Sequence, residues 1–459
     1  MITGFVLYLI FSLLASLTLL SSPYLRITSL GWLIAIWTLP YLGAFAFIFT
    51  VVRAKKKPHD EAMCRLLERH REDTCHHGVV EHVGMAYDFL PYFPMCDYHV
   101  LRDDAFVPAV IAAIEAAQKR VWVCTYIFSG EVKAQVLAAL NDAHARGVEV
   151  RLLLDRAGSG LVFRSRTHPL GKDIPFPVSG FHRAPWRSVV FVEKRLHSKI
   201  VLADGNAIVG AHNLRDEVNI AHAEGVHNIS VAFNGGVVSQ LEAVFMDMWQ
   251  LNTGTPLQAL CSENTAWQDE HVHDTPESDG SPFPARVIYS DPLSLNHNYC
   301  DYLSDIFCAA KVRVCVWMPY VVPSFAMRRT LIAAAKRGLD IRVLFPKKSD
   351  SFVVDNAHAL VMNELIDGGV ACSHSEGRFD HSKIIIIDDV CIIGSTNLDY
   401  RSLYRNYEAN LEVSSPQFTR DVFQLFNDAF DRATPLECCE VGRIATIRNQ
   451  FTSLIAALY

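Results

Sequence analysis

His197 and Lys199 stand one residue apart, and so do His381 and Lys383. An imidazole can serve as acid, base or nucleophile near neutral pH, and a lysine beside it supplies a fixed positive charge. In extended backbone, residues i and i+2 point to one face, so each His is aimed together with its Lys. Behind each pair runs an apolar stretch, IVLA at 200–203 and IIII at 384–387. These read as buried strands that hold the pairs rigidly. Each cassette continues in the same order: an Asp beyond the Lys and its four-residue strand (Asp204, Asp388), then Gly-x-x-Asn. Gly210 and Gly394 are expected to permit a tight turn that aims the amides of Asn213 and Asn397 at the same spot. A lone His-x-Lys is most simply a solvated edge strand. Two copies sharing His, Lys, Asp, Gly and Asn at equal offsets point instead to a duplicated half-site, with His197 and His381 brought to one cleft by two-fold packing.

The flanking sequence repeats as well. FVPAVIAAIEAAQKRVWVCTYIF followed by VKAQVLAALNDAHARGVEVRLLLD, within 106–155, reads as helix, strand, helix, strand. DYLSDIFCAAKVRVCVWMPYVVPSFAMRRTLIAAAKRGLDIRVLF at 301–345 gives the same order. In both, an Arg-Gly stop (Arg146-Gly147, Arg337-Gly338) ends a helix before an apolar strand, a standard C-terminal signal. Strands alternating with helices imply sheets covered by helices. Residues 253–284 are rich in Pro, Ser, Gly and acids and read as the linker between halves.

The N-terminus is different in kind. FVLYLIFSLLASLTLL at 5–20 and LGWLIAIWTLPYLGAFAFIFTVV at 30–52 carry no charge. Roughly 20 residues of helix cross a ~30 Å hydrocarbon core. The second run gives way to Arg53, Lys55, Lys56 and Lys57. That basic cluster places residue 53 onward in the cytoplasm, with the N-terminus on the same side. No Lys or Arg precedes Arg26, against a cleaved signal peptide. The expected organisation is a transmembrane hairpin (1–57), a linker (58–95), a first α/β domain (96–252), the inter-domain linker (253–284) and a second domain (285–459). The last of these ends in an apolar helix, IATIRNQFTSLIAALY. The net charge of −7 and the hairpin disfavour nucleic acid as partner. The 12 cysteines are scattered, without zinc-type spacing, and neither a metal nor a cofactor is expected.

The doubled H-x-K-x4-D with its trailing G-x-x-N resembles the signature of the phospholipase D superfamily. Within it the chain is most similar to the bacterial cardiolipin synthases, through the hairpin with LPYLGAFAFIF, TYIF at 125–128, MPYVVPS at 318–324, FPKKSD at 345–350 and NLDYRSLYRNYEANLEV at 397–413. The resemblance implies an α/β fold: two phospholipase D-like α/β/α sandwich domains with pseudo-two-fold symmetry, preceded by two transmembrane helices, in the bacterial inner membrane with catalytic domains cytoplasmic. It implies phosphatidyl transfer between two phosphatidylglycerol molecules, giving cardiolipin and glycerol. One His forms a phosphohistidine, His197 by analogy, and the other protonates the leaving alcohol. A hydrolase, or a transferase with another alcohol, is the alternative. The resemblance further implies catalytic roles for His197, Lys199, Asp204, His381, Lys383 and Asp388, and phosphate binding by Asn213, Asn397 and Ser395. Glu408 looks like the acid that orients a catalytic His. The first copy departs from the pattern. It has Ala211 where the second has Ser395, and Asn228 where the family has an acid, with Glu224 as a possible substitute. These departures read either as drift at tolerated positions or as a weakened first half-site, and the sequence leaves the two open.

Overall fold

The computed structural model describes residues 7–14, 16, 36–38, 87, 89–162, 164–165, 168–181, 194–216, 225–258, 282–292 and 298–438. Most of the expected hairpin, most of the 58–95 linker, Glu224, residues 259–281 and the C-terminal apolar helix lie outside them. From Tyr87 onward the described residues, Lys194 apart, form one compact unit, and residues 7–38 belong to another.

A short strand, β1 (Phe93–Met95), precedes the first repeat. The repeat then runs β2 (Tyr98–Arg102), α1 (Phe106–Ala116), β3 (Arg120–Thr125), α2 (Gly130–Ala145), β4 (Glu149–Asp155), β5 (Val178–Phe181), β6 (Ile200–Ala203), β7 (Asn206–Gly210), β8 (Val226–His227), β9 (Ile229–Asn234) and α3 (Val238–Thr253). Its sheet has the order β2-β9-β7-β6-β3-β4-β5. Strands β3, β4 and β5 are parallel, as helix crossovers require, and β6 turns back antiparallel to β3. On α1, Phe106, Val107, Val110 and Ile114 are buried; on α2, Val132, Val136, Leu140 and Ala143 are buried. Those spacings make one apolar stripe per helix, and both stripes pack on Val121, Val123, Leu152 and Leu154 of the sheet.

The second repeat has the same plan: β10 (Phe283–Ser290), α4 (Asn298–Ala309), β11 (Arg313–Trp317), α5 (Phe325–Lys336), β12 (Asp340–Pro346), α6 (Phe352–Asp367), β13 (Ala371–Ser375), β14 (Phe379–Asp380), β15 (Ile384–Ile387), β16 (Val390–Gly394), α7 (Tyr400–Tyr404), β17 (Glu408–Ser414), α8 (Pro416–Arg432) and β18 (Thr434–Pro435). Its sheet order, β1-β10-β17-β16-β15-β11-β12-β13-β18, reproduces the first with one strand added at each edge. Gly147 (φ 89°) and Gly338 (φ 88°) occupy matching left-handed positions after α2 and α5, where a side chain would be strained.

Asp204 and Asp388 are placed in the turns of the β6–β7 and β15–β16 hairpins. Each has φ 51°, unusual for a residue other than glycine. Asp204 accepts backbone N–H bonds from Gln118 (2.8 Å), Lys119 (3.0 Å) and Arg120 (2.7 Å). Asp388 does the same for Lys311, Val312 and Arg313 at 2.9, 2.8 and 3.0 Å. These carboxylates tie the loop entering β3 or β11 to the hairpin, at the opposite end of the strand from the His. Asp204→Ala and Asp388→Ala are therefore expected to destabilise by about 2–3 kcal/mol each, through orphaned backbone donors, read as a lower melting midpoint. Turnover per folded molecule should stay within about threefold, because neither carboxylate reaches a reacting group. A loss of turnover without loss of stability would show instead that they act in the chemistry.

Candidate active site

The His-x-Lys pairs lie just before β6 and β15 rather than within them. What fixes them is backbone pairing with the other repeat. His197 N–H and Ser198 N–H both donate to the Tyr407 carbonyl (2.9 Å each), and Tyr407 N–H returns a bond to the Arg195 carbonyl. At the pseudo-symmetric place, His381 N–H donates to the His227 carbonyl (2.8 Å), and β14 pairs in parallel with β8. The residue next to each carbonyl, Glu408 or Asn228, is thereby set against a histidine of the opposite half.

The consequence is a crossed arrangement. Glu408 is fully buried at the start of β17, and both its oxygens lie 2.9 Å from His197 Nδ1. Asn228 is also buried, and its Oδ1 lies 2.9 Å from His381 Nδ1. The Asn for acid departure thus falls on the second His, not on the first half-site where the sequence order put it. Ala211 belongs to the same change. Ser395 Oγ donates to Glu408 Oε2 (2.5 Å), and Asn406 Nδ2 to Glu408 Oε1 (3.1 Å). A buried carboxylate needs such donors, whereas the amide of Asn228 does not, so the hydroxyl is dispensable at 211.

Gly210 and Gly394 end β7 and β16, and their reason is close approach rather than a tight turn. A Cβ on Gly394 would fall 2.2 Å from Asn410 Oδ1 and 2.6 Å from the Ala409 carbonyl; on Gly210 it would fall 2.4 Å from Ser230 Cα. These contacts let the strands of one repeat lie close enough for the partner residue to reach across.

Lys199 and Lys383 are both buried. Lys199 Nζ donates to the His197 carbonyl (2.5 Å) and faces the Tyr126 ring at 5.6 Å. Lys383 Nζ donates to the His381 carbonyl (2.9 Å) and lies 3.0 Å from His381 Nε2. Asn213 and Asn397 are buried as well, and Oδ1 of each takes no hydrogen bond among the described residues. Two buried lysine ammonium groups suit an anionic ligand, whereas the open amide oxygens are acceptors and call for a donor such as a hydroxyl. Burial holds His197 down at about 4 despite the opposing pull of Glu408. Burial, then Lys383, Lys199, His197 and Arg215, holds His381 well below the usual histidine value. Burial also brings Lys199 down to about 8. Glu408, which burial alone would raise, is kept below its ordinary value by His197, Lys199 and Ser395. His197, His381 and Lys383 each feel the charge of a lysine or histidine of the other half.

Two supports had no signal in the cassette. Asp155, fully buried at the end of β4, accepts from the Leu196 N–H (3.0 Å) and so braces the residue before His197. His227 Nδ1–H donates to Asp103 (2.8 Å), and the ring stacks on Trp317, whose Nε1–H donates to Asp380 (2.6 Å). The second chain of contacts braces the His381 side. His227 and Asp380 stand immediately before Asn228 and His381 in sequence, which could have suggested them, whereas no spacing marks Asp155.

Residues 110–249 and 303–432 match the family model described as cardiolipin synthase, PLD-like domain. Cardiolipin synthase A of Yersinia pseudotuberculosis serotype O:1b (strain IP 31758) is 26% identical over 441 residues, spanning 89% of this chain and 88% of the relative. The same figures hold for cardiolipin synthase A of Yersinia pestis bv. Antiqua (strain Angola). Among solved structures, phosphatidylserine synthase of Haemophilus influenzae Rd KW20 superposes with a TM-score of 0.63 at 12% identity, covering 83% of this chain and all of that one. At that identity the likeness is one of fold.

Proposed function

The chain belongs to the cardiolipin synthase, PLD-like domain family, and from that premise we propose that it transfers a phosphatidyl group between two phosphatidylglycerol molecules, giving cardiolipin and glycerol. The observation that supports this most directly is the crossed pairing. Each histidine is oriented by a residue of the other repeat, so neither half is a site alone. Mechanistically, His197 Nε2 attacks the donor phosphorus while Nδ1–H stays on Glu408, which steadies the charge that appears on the ring as the P–N bond forms. Glycerol leaves with a proton from His381. The terminal hydroxyl of the second phosphatidylglycerol then gives its proton to His381 and displaces His197. Lys199, Lys383, Asn213 and Asn397 hold the non-bridging oxygens, and Ser395 acts through Glu408.

The test is purified full-length protein with phosphatidylglycerol in detergent, with products identified by mass spectrometry. Cardiolipin and glycerol in equal amounts are expected. Phosphatidic acid without cardiolipin would mean that water is the acceptor and would overturn the transferase reading.

Two of the depressed groups set outer limits on the pH dependence of kcat/KM, and Lys383, also well below its ordinary value, narrows the alkaline side. Below about 4, His197 is protonated and has no lone pair for attack; above about 8, Lys199 loses the charge that holds phosphate. A plateau between those limits is expected. A single limb near the ordinary histidine value would contradict the assignment.

The same proposal places residues 1–57 in the membrane as a hairpin, with the catalytic domains cytoplasmic. Its support is inside-out polarity. Ser12 and Ser16 are buried, with Ser12 Oγ donating to the Ile36 carbonyl (3.3 Å) and Trp37 Nε1–H donating to Ser16 Oγ (3.0 Å), while Leu7, Ile10, Phe11, Leu13 and Leu14 face outward. Among the described residues no helix is long and apolar enough to cross a membrane. Alkaline carbonate should leave the full chain in the membrane pellet; release to the supernatant would rule the hairpin out.

A further inference from the structure

His381 differs from His197 in what both of its ring nitrogens meet. Nδ1 faces Asn228 Oδ1 at 2.9 Å, and Nε2 faces Lys383 Nζ at 3.0 Å. A lysine ammonium has only donors, so Nε2 must present its lone pair to it. The ring hydrogen then sits on Nδ1, and the amide of Asn228 must offer its oxygen. The contacts of the two nitrogens agree on one state: a neutral ring bearing its hydrogen on Nδ1, with the mobile proton on Lys383.

Among the described residues no carboxylate is hydrogen-bonded to the His381 ring. Asp103 lies behind Asn228, accepting from its backbone N–H (3.0 Å), and is engaged by His227 (2.8 Å) and Arg378 (3.3 Å). The charged groups that act on His381 are Lys383, Lys199, His197 and Arg215, and all disfavour a second proton on the ring. Lys383 in turn faces Lys199, with Glu408, Asp350 and Asp399 opposing it, and burial and Lys199 push it well below the ordinary lysine value, toward giving up its proton. At His197 a carboxylate takes Nδ1, while Lys199 bonds the backbone carbonyl of its histidine as Lys383 does.

Resting on the phosphatidyl-transfer reading above, we infer that Lys383 is the proton source for the departing glycerol, with His381 as the relay, and that Asn228 is the positioning residue that assigns the proton to Lys383. In the first half-reaction a Lys383 N–H bond breaks and a His381 Nε2–H bond forms. The glycerol oxygen then takes the place of the Lys383 amine at Nε2, and that hydrogen passes to it as its bond to phosphorus breaks and the bond from His197 to phosphorus forms. In the second half-reaction the incoming hydroxyl returns a proton to His381 Nε2, and from there to Lys383, as His197 is displaced. No proton is consumed, and no further reactant is required.

The roles of charge and of proton separate on leaving groups. Arginine keeps the charge at 383 but does not release its proton. In full-length K383R, glycerol release from phosphatidylglycerol is expected to fall by about 10²–10⁴-fold, the usual worth of a general acid. Release of p-nitrophenol from phosphatidyl-p-nitrophenol, which leaves without a proton, should fall at least about tenfold less than glycerol release does, its remaining loss being that of the Lys383 phosphate contact, and an unchanged circular dichroism spectrum reports that the variant is folded. N228D/K383R should recover glycerol release by at least about tenfold over K383R, because a carboxylate on Nδ1 lets His381 hold the proton itself. Equal loss with both leaving groups, near-normal glycerol release by K383R, or no recovery in the double variant would each overturn the relay. Glycerol must leave whether the acceptor is a second lipid or water. A hydrolytic product would therefore sink the transferase reading and leave this inference standing.

Discussion

An enzyme carrying His197→Asn is expected to form no covalent adduct with phosphatidyl-p-nitrophenol, while one carrying His381→Asn accumulates it. The argument is from the two partners. His197 has Glu408 on Nδ1, so attack through Nε2 develops a positive ring beside a buried carboxylate. His381 has a neutral amide there and a lysine on Nε2, an environment that resists such a charge. A nitrophenyl leaving group dispenses with the acid, so loss of His381 spares adduct formation. It removes the base that the incoming hydroxyl needs, and the adduct persists. Intact-protein mass spectrometry after a neutral denaturing quench, which spares the acid-labile P–N bond, reads this directly, as one phosphatidyl mass on His381→Asn and none on His197→Asn. Turnover of phosphatidylglycerol should fall by about 10³-fold or more in both. The opposite distribution of adduct would exchange the roles, and a full-rate His197→Asn enzyme would refute a shared site.

Much of this was visible in the chain. Helix-strand-helix-strand over 106–155 and 301–345 was readable because each helix has one apolar stripe, each strand is a largely apolar run, and Gly147 and Gly338 mark the same stop. The pairing of His with Lys came from a spacing of two. The place of Asp204 and Asp388 could have come from the same rule. They lie seven residues past the His, an odd number that turns them to the other face, and beyond the strand's end. The shared motif drew them in with the histidines instead. What no spacing discloses is which residue of one repeat meets which of the other. Glu408 is near His381 in sequence and bonds His197, because the bridge from Leu196 to Tyr407 joins the halves backbone to backbone. Sequence order therefore attributed the weakness of Ala211 and Asn228 to the wrong histidine.

Glu408→Gln should be the most damaging change at a residue that never touches substrate, with kcat/KM down by about 10²–10⁴-fold. The reason lies in the donors that surround the carboxylate. Ser395 Oγ–H and the Asn406 amide both donate to it. The two donors sit on different oxygens, so a glutamine satisfies only one of them, and its NH₂ at the other position lies within reach of His197 Nδ1. That nitrogen would then have to accept, which moves the ring hydrogen to Nε2, the atom that must attack. The lone pair is lost from the reacting position although the ring has not moved. Because the nucleophile itself is disabled, nitrophenyl and glycerol leaving groups should suffer alike, unlike the K383R enzyme. Melting behaviour should change little, since the substitution keeps shape and volume. Ser395→Ala in the Glu408→Gln background frees one donor, relaxes the preference for the wrong orientation and is expected to recover part of the loss. Glu408→Gln activity within about tenfold of wild type would show that Glu408 is a packing residue and would remove the physical distinction between the two histidines.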